Sequence, residues 1–325
     1  MTKGLFRKLA ILAINAVLLV IFLDWFSRNI SFPELLGHFS RIPVHAILIS
    51  LLINLGSLAA YASRMALLVG RNFFTGFAIV NIGYAFNAIF PMRLGEPVKI
   101  VVVHRMYRLP LSRVAVAAVL EKFLDLIKVI ILAGLVISVA AERHVDASML
   151  QRSVIAVAML GIGFWVLKLL APRINGLFSG LAWLKRLVAD VYQHSITVPL
   201  GRIIFMTLII WACNIFLVYA VLNGYIPARG FNLLDAATML VVLAFAVAIP
   251  SAPASIGLFE AGIVAFLTQA HGIQNELALA VAVVFHLVIT VPQLAIAAIC
   301  GCISYLQPDP AVQSPKGSGL ETKAD

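Results

Sequence analysis

Six stretches, residues 9–26, 42–62, 114–140, 153–170, 203–222 and 278–304, are each apolar over roughly the 20 residues a helix needs to cross a bilayer. That feature leaves little freedom of fold. In lipid a segment must satisfy its own backbone N–H and C=O groups, and a helix does so within one run of chain. Composition agrees. Charged residues make up 12% of the 325 and hydrophobic residues 62%, with a mean hydropathy of +1.04. A soluble domain carries about a quarter charged residues. So little charge cannot cover a globular surface, which excludes a soluble enzyme, a disordered chain and a small disulfide-stapled module.

The net charge of +10 suits basic cytoplasmic loops and shows no basic, aromatic-studded stripe for nucleic acid. Cys213, Cys300 and Cys302 lie within apolar runs without metal-site spacing, so neither a disulfide, a metal nor another cofactor is expected. At the N-terminus Lys3, Arg7 and Lys8 precede an apolar run that continues through Leu23 with no small-residue cleavage site before Asp24, which reads as an uncleaved first span.

Two further apolar segments are interrupted. Residues 73–90 run into Pro91-Met92-Arg93-Leu94-Gly95-Glu96-Pro97 and resume to about Arg105. Residues 233–249 run into a break from Pro250 to Gly257 and resume over 258–270. Each continuation is too short to span comfortably, the pattern of a re-entrant hairpin or broken helix at membrane depth. With both termini cytoplasmic, 15 of the 24 Lys and Arg residues, Arg64 among them, fall inside and five outside; Arg93, Lys99, Lys122 and Lys128 sit at the first break or the span after it. This orientation requires each broken segment to begin and end on one side, the first opening to the cytoplasm and the second outward.

The two regions, about 73–140 and 233–304, share an order of parts: apolar helix, Pro/Gly break with a following carboxylate, short helix, polar turn, long span. Gly95 to Lys122 is 27 positions and Gly257 to His286 is 29. With opposite openings this is an inverted-topology repeat, the device by which transporters build a central site reachable from either face. Between the halves, residues 173–198 place apolar side chains at three- and four-residue spacing, an amphipathic helix for the cytoplasmic interface. Residues 1–306 thus form one transmembrane domain, and the Pro-, Ser- and Gly-containing tail 307–325 reads as disordered.

Charges at membrane depth cost several kcal/mol unless paired or hydrated, which makes them functional candidates. Here they gather: Arg93, Glu96 and Lys99 at the first break, Glu121, Lys122, Asp125 and Lys128 in the next span, Glu260 beyond the second break, and His286 in the last span. Glu121, Asp125 and Lys128 share one helical face. A half-helix starting inside the membrane presents free N–H groups and partial positive charge. Gly95 and Pro97 suit the first such start, Ser255 and Gly257 the second. With Arg93 and Lys99, these would hold a phosphate or other anionic headgroup, while the carboxylates balance the cations, a proton or a cationic group. The plain alternative is that individual pairs only hold the bundle together. Asp24, Asp235 and Glu276 read as interfacial caps, His104 as interfacial, and Gln293 as a partner for backbone groups freed by Pro292.

Pro91 to Glu96, then Glu121-Lys122 with Asp125, then Pro250 to Glu260, in that order and spacing, resemble the lysylphosphatidylglycerol synthase/flippase transmembrane family. The resemblance covers the chain from about the second span to the last. It implies an all-α polytopic protein that translocates or handles lipid through two re-entrant elements, with Arg93, Gly95, Glu96, Glu121, Asp125 and Glu260 as the positions that carry over. Lys122 stands where arginine is usual, Ser255 where glycine is usual, and His286 where arginine is frequent. These departures weaken lysylphosphatidylglycerol as the substrate, and without an aminoacyltransferase segment the chain is not expected to make that lipid.

The combined expectation is six full spans plus two broken-helix hairpins in an inverted repeat, in the bacterial cytoplasmic membrane. No phosphate-binding Gly-Lys-Ser/Thr loop, zincin or nucleophile-elbow motif is present, so the expected activity is flippase-like transport without catalysis. The substrate-binding set is Arg93, Gly95, Glu96, Lys99, Glu121, Lys122, Asp125, Ser255, Gly257, Glu260 and His286. The partner is a membrane lipid or lipid-linked substrate; a second copy of the chain and a lipid-modifying enzyme are further candidates. The alternative activity is that of a non-transporting subunit anchoring or regulating a lipid-modifying or glycosyl-transferring enzyme.

Overall fold

The computed structural model of the protein describes residues 31–90, 95–144, 199–248 and 253–306. The first span, the span at 153–170, the interfacial segment 173–198, the tail, Arg93 and Pro250 lie outside the described residues. Among the described residues the chain is helical without strands. In order come α1 (Phe32–Phe39), α2 (Val44–Val69), α3 (Phe73–Ile89), α4 (Gly95–Tyr107), α5 (Leu111–His144), α6 (Leu200–Tyr225), α7 (Leu233–Ala248), α8 (Leu258–Ala265) and α9 (Asn275–Leu306). Short 3₁₀ turns at Pro227–Arg229 and Pro253–Ser255 precede α7 and α8, and α8 closes in a wider π turn, Phe266–Ala270.

Local chemistry sets the helix ends. Asn72 caps α3, its Oδ1 accepting from Thr75 N at 2.9 Å, and α2 stops at Gly70 in the left-handed region (φ 63°). Asp235 and Glu276 act as end groups: Asp235 accepts from Asn232 N at 2.9 Å, and Glu276 accepts from Ser31 N at 3.2 Å, tying α1 to the start of α9. The helix missing from the sequence reading, α1, carries Pro33 and Glu34 in its first turn and His38 in its last.

Among the described residues, four segments are long and apolar enough to cross a membrane, Val44–Val69, Leu200–Tyr225, Pro253–Ala270 and Asn275–Cys302. The family of helices is therefore that of a multi-pass membrane protein. Of the four segments, Pro253–Ala270 takes in the turn of the second break; the helix beyond that turn runs Leu258–Ala265 and on through Phe266–Ala270, 13 residues like α4, and both fall short of a comfortable span.

α2 and α6 pack antiparallel at the centre. A Cβ on Gly224 would stand 2.7 Å from Ala46 Cβ at one end, and Ile203 shares a core with Met65, Leu68 and Val69 at the other. Small residues permit that approach. The α3–α4 hairpin returns to the C-terminal end of α2, where a Cβ on Gly70 would lie 3.9 Å from Arg113 Nη1. The second hairpin returns to its own start: the Phe231 and His271 rings are 5.0 Å apart and His271 Nε2 is 3.8 Å from Asp235 Oδ1. Since α7 follows the C-terminal end of α6, the two hairpins open at opposite ends of the α2–α6 pair. Their packing is reciprocal as well: α3 of the first packs on α9 of the second, and α7 of the second on α5 of the first.

Burial is inverted relative to a soluble protein. Phe74, Val44, Leu52 and Phe245 face outward, while Arg64 is 1% exposed and Lys99 and Glu121 are 3%. An apolar exterior around a charged interior is what a lipid solvent selects. Pro292, inside α9, follows the same rule. Proline has no N–H for the carbonyl of Val288, and Asn54 of α2 donates to that oxygen instead, Nδ2 to O 3.0 Å. The role expected of Gln293 thus falls to Asn54; Gln293 lines a cavity.

Candidate functional site

The first break delivers Glu96 and Lys99 onto one face of α4, three residues apart, against Glu121 and Lys122 of α5. Lys99 Nζ lies 2.8 Å from Glu96 Oε2 and 3.2 Å from Glu121 Oε2. Lys122 Nζ lies 2.9 Å from Glu96 Oε1, which also accepts from Asn87 Nδ2 at 3.0 Å. Gly83 of α3 makes room for the lysine stem: a Cβ there would meet Lys99 Cδ at 2.5 Å. Lys99 is thus sealed between two carboxylates, whereas the Lys122 side chain keeps 44% exposure.

One turn further along α5 a second set forms. Arg64 Nη2 pairs with Asp125 Oδ1 at 2.9 Å, and Lys128 Nζ lies 3.5 Å from the same oxygen. Lys128 donates to Tyr61 Oη at 3.1 Å, Asn214 donates to it at 3.2 Å, and Ser57 donates to Asn214 Oδ1 at 2.7 Å. Arg64 and Lys128 also lie over the Tyr61 ring, at 5.2 and 5.5 Å. Arg64, counted among the cytoplasmic-side basic residues, is thus buried between the helices. The physical reason is the partner: Asp125 compensates a cation that the apolar run Met65–Val69 carries inward.

At the second break Ala254 and Ser255 hold positive φ (55° and 60°) and Gly257 reaches 91°. Non-glycine residues seldom adopt that region, and a glycine at position 255 would take this conformation without steric cost. Glu260 Oε2 accepts from Gly257 N at 2.7 Å, capping α8 with its own carboxylate. Its other oxygen, Oε1, meets His286 Nδ1 at 2.5 Å, and the imidazole stacks on Phe259 with centroids 4.4 Å apart. The two halves match here: a carboxylate just past the break pairs with a basic group 26 residues later, Glu96 with Lys122 and Glu260 with His286.

These groups converge on one cavity of about 260 Å³. Glu96, Lys122, Asn87 and Tyr84 face it from the first half, and Ser255, His286, Thr290 and Gln293 from the second. Of the expected set, Glu96, Lys122, Ser255 and His286 line the cavity directly. Lys99, Glu121 and Glu260 stand behind them as ion-pair partners, and Asp125 belongs to the neighbouring set. Gly95 packs against Phe86 and Asn87, leaving no space for a Cβ. Asn87, Arg64, Tyr61 and Asn214 were not singled out from sequence. Arg64 offered one signal: it is the sole Lys, Arg, Asp or Glu in a 26-residue apolar helix.

A multi-helix membrane domain with charges inside, two broken hairpins opening at opposite ends and a shared polar cavity defines the class: an integral membrane protein built to place polar groups within the bilayer. The sequence pattern of one family, described as the lysylphosphatidylglycerol synthase TM region, matches residues 8–297, and the chain belongs to that family. Membership indicates a membrane protein that handles lipid. A search of curated proteins returns no match.

Proposed function

We propose that this protein moves a lipid or lipid-linked substrate across the bacterial cytoplasmic membrane, with both termini cytoplasmic. The carrying observation is the cavity lined by both halves, Glu96 and Lys122 facing Ser255 and His286. The opposite hairpin openings, reciprocal packing and matched 26-residue pairs support an inverted repeat with this cavity at its centre. The headgroup occupies the cavity while its tails stay in the bilayer. Lys122 holds the anionic part, because it lines the cavity with one ion-paired carboxylate, while Lys99 is enclosed by two. At the second break the helix terminus already holds the Glu260 carboxylate, so an anion is better placed beside Lys122. Tyr84, Asn87, Thr290 and Gln293 supply neutral hydrogen bonds to the rest of the headgroup. Arg93, in the sequence of the first break, carries a further positive charge. No step breaks or forms a covalent bond.

The test is reconstitution of the full chain into phosphatidylcholine vesicles with NBD-labelled phosphatidylglycerol, following the label that becomes accessible to dithionite. Wild-type protein should make both leaflets accessible, and Lys122→Gln should slow this about tenfold, the loss of one charge-assisted hydrogen bond. Label accessibility no different from that of protein-free vesicles would overturn the reading.

A further inference from the structure

A second cavity, of about 440 Å³, abuts the first. Ala254, His286 and Thr290 line both. On α9 the second cavity takes Leu279 and Val283 and the first takes Ile289 and Gln293, so the two spaces follow one another along that helix. Their walls differ in kind. Glu96, Lys122, Asn87 and Gln293 make the first polar, whereas Leu35, Ile256, Leu279, Val283 and Leu287 make the second apolar. The two ionisable residues that reach the second, Glu260 and His286, are bonded to each other, and the remaining Glu260 oxygen accepts from Gly257 N. Neither carboxylate oxygen is left for a ligand in that space.

A cavity lined this way stays dry and takes up hydrocarbon. Hydrocarbon can reach it. Ile256, at the second break, and Leu287, on α9, both line the cavity and are each 54% exposed, more than the wall of a closed space allows. The exterior they face is the apolar outside of a multi-pass bundle. Leu35 of α1 closes another side, and α1 is tied to the start of α9 by the Ser31 N–H on Glu276. Bilayer, apolar cavity and polar cavity thus form one continuous path, with Ala254, His286 and Thr290 at the inner junction and Ile256 and Leu287 at the mouth.

Resting on the lipid-translocating reading, we propose that the second cavity seats the stretch of acyl chain next to the headgroup that Lys122 holds, and that the chain continues through the mouth into the bilayer. The substrate class is therefore a lipid whose anionic group is followed directly by a long alkyl chain. In this position the chain exchanges hydrocarbon for hydrocarbon, so burial gives no preference for the cavity over the bilayer. The headgroup has to supply the selection. A lipid with the same chains and no net negative charge should not displace the substrate.

The experiment places the full chain in dodecyl maltoside micelles with phosphatidylglycerol that carries a diazirine on one acyl chain. After irradiation the labelled peptides are mapped. Label is expected on α8 and on residues 279–290 of α9, and about a tenfold excess of plain phosphatidylglycerol should lower it about fivefold or more, while the same excess of phosphatidylcholine should not. Leu287→Trp and Ile256→Trp each fill the mouth from a different element and should lower the competed label about fivefold; either serves if the other does not fold. Leu52→Trp, on α2, replaces a side chain that is 68% exposed away from the cavity and should leave the label unchanged. Label removed equally by phosphatidylcholine would mean bulk bilayer lipid and overturn the chain site, as would label retained in full by both mouth variants. NBD-phosphatidylglycerol movement in vesicles, followed on the same preparations, keeps the two readings apart. Movement without competed label at these peptides would overturn the chain site and leave translocation standing. Competed label without movement would overturn translocation and leave the chain site standing.

Discussion

Replacing Arg64 by Met tests whether the buried charges act as a coupled set. The guanidinium is 1% exposed and its Nη2 bonds Asp125 Oδ1 at 2.9 Å. Removing one partner of a buried pair costs about 3–5 kcal/mol, because the other charge is stranded. The two halves of this pair should not cost the same. Arg64→Met leaves Asp125 24% exposed and still 3.5 Å from Lys128, which points to the lower end, about 3 kcal/mol. Asp125→Asn strands a guanidinium that is sealed from solvent and whose Nη1 has no hydrogen bond at all, which points to the upper end, about 5 kcal/mol. In the double variant no stranded guanidinium remains, and Lys128 keeps Tyr61 as acceptor. Adding Arg64→Met to Asp125→Asn should therefore cost at most about 1 kcal/mol more, a coupling of about 2–3 kcal/mol against the additive total. The assay is reversible unfolding in mixed micelles across the four-protein cycle. Additive losses within about 0.5 kcal/mol would refute the reasoning, since they would mean that neither charge depends on the other.

Two further outcomes follow from the same geometry. Asn54→Leu should cost about 1–3 kcal/mol by orphaning the Val288 carbonyl, and Pro292→Ala should cancel most of that loss by restoring an N–H to that oxygen; unfolding of both single variants and the double checks it. Ser255→Gly should stabilise the protein by about 1 kcal/mol by relieving a positive-φ serine, read in the same unfolding assay.

The apolar runs made most of the helices legible. Residues 42–62, 203–222 and 278–304 became α2, α6 and α9, with ends that differ by two to seven residues. Both breaks were legible because Pro and Gly act locally. The charged face of α5 was legible because helical spacing fixes which residues share a side. Pairing was not. Lys99 and Lys122 look equivalent as letters, yet one lies between two carboxylates and the other faces the cavity with a single partner. Arg64 looked like a loop flank until Asp125, 61 positions away, stood beside it. Asn54 gave no signal, since its partner is a carbonyl 234 positions away that Pro292 left free.

The sequence by itself determined the solvent, the helical class and the gathering of unusual charges beside the two breaks. Those follow from composition, from runs of about 20 residues and from 3.6-residue spacing, all of which act along the chain. The tertiary structure decided which charges neutralise one another and which are left facing a cavity. It also decided that the two halves meet there, with Glu96 and Lys122 across from Ser255 and His286. The reason is physical: an ion pair or a cavity wall depends on distances of a few ångströms between helices far apart in sequence. The packing of α4 and α2 on α5, and of α3 on α9, sets those distances.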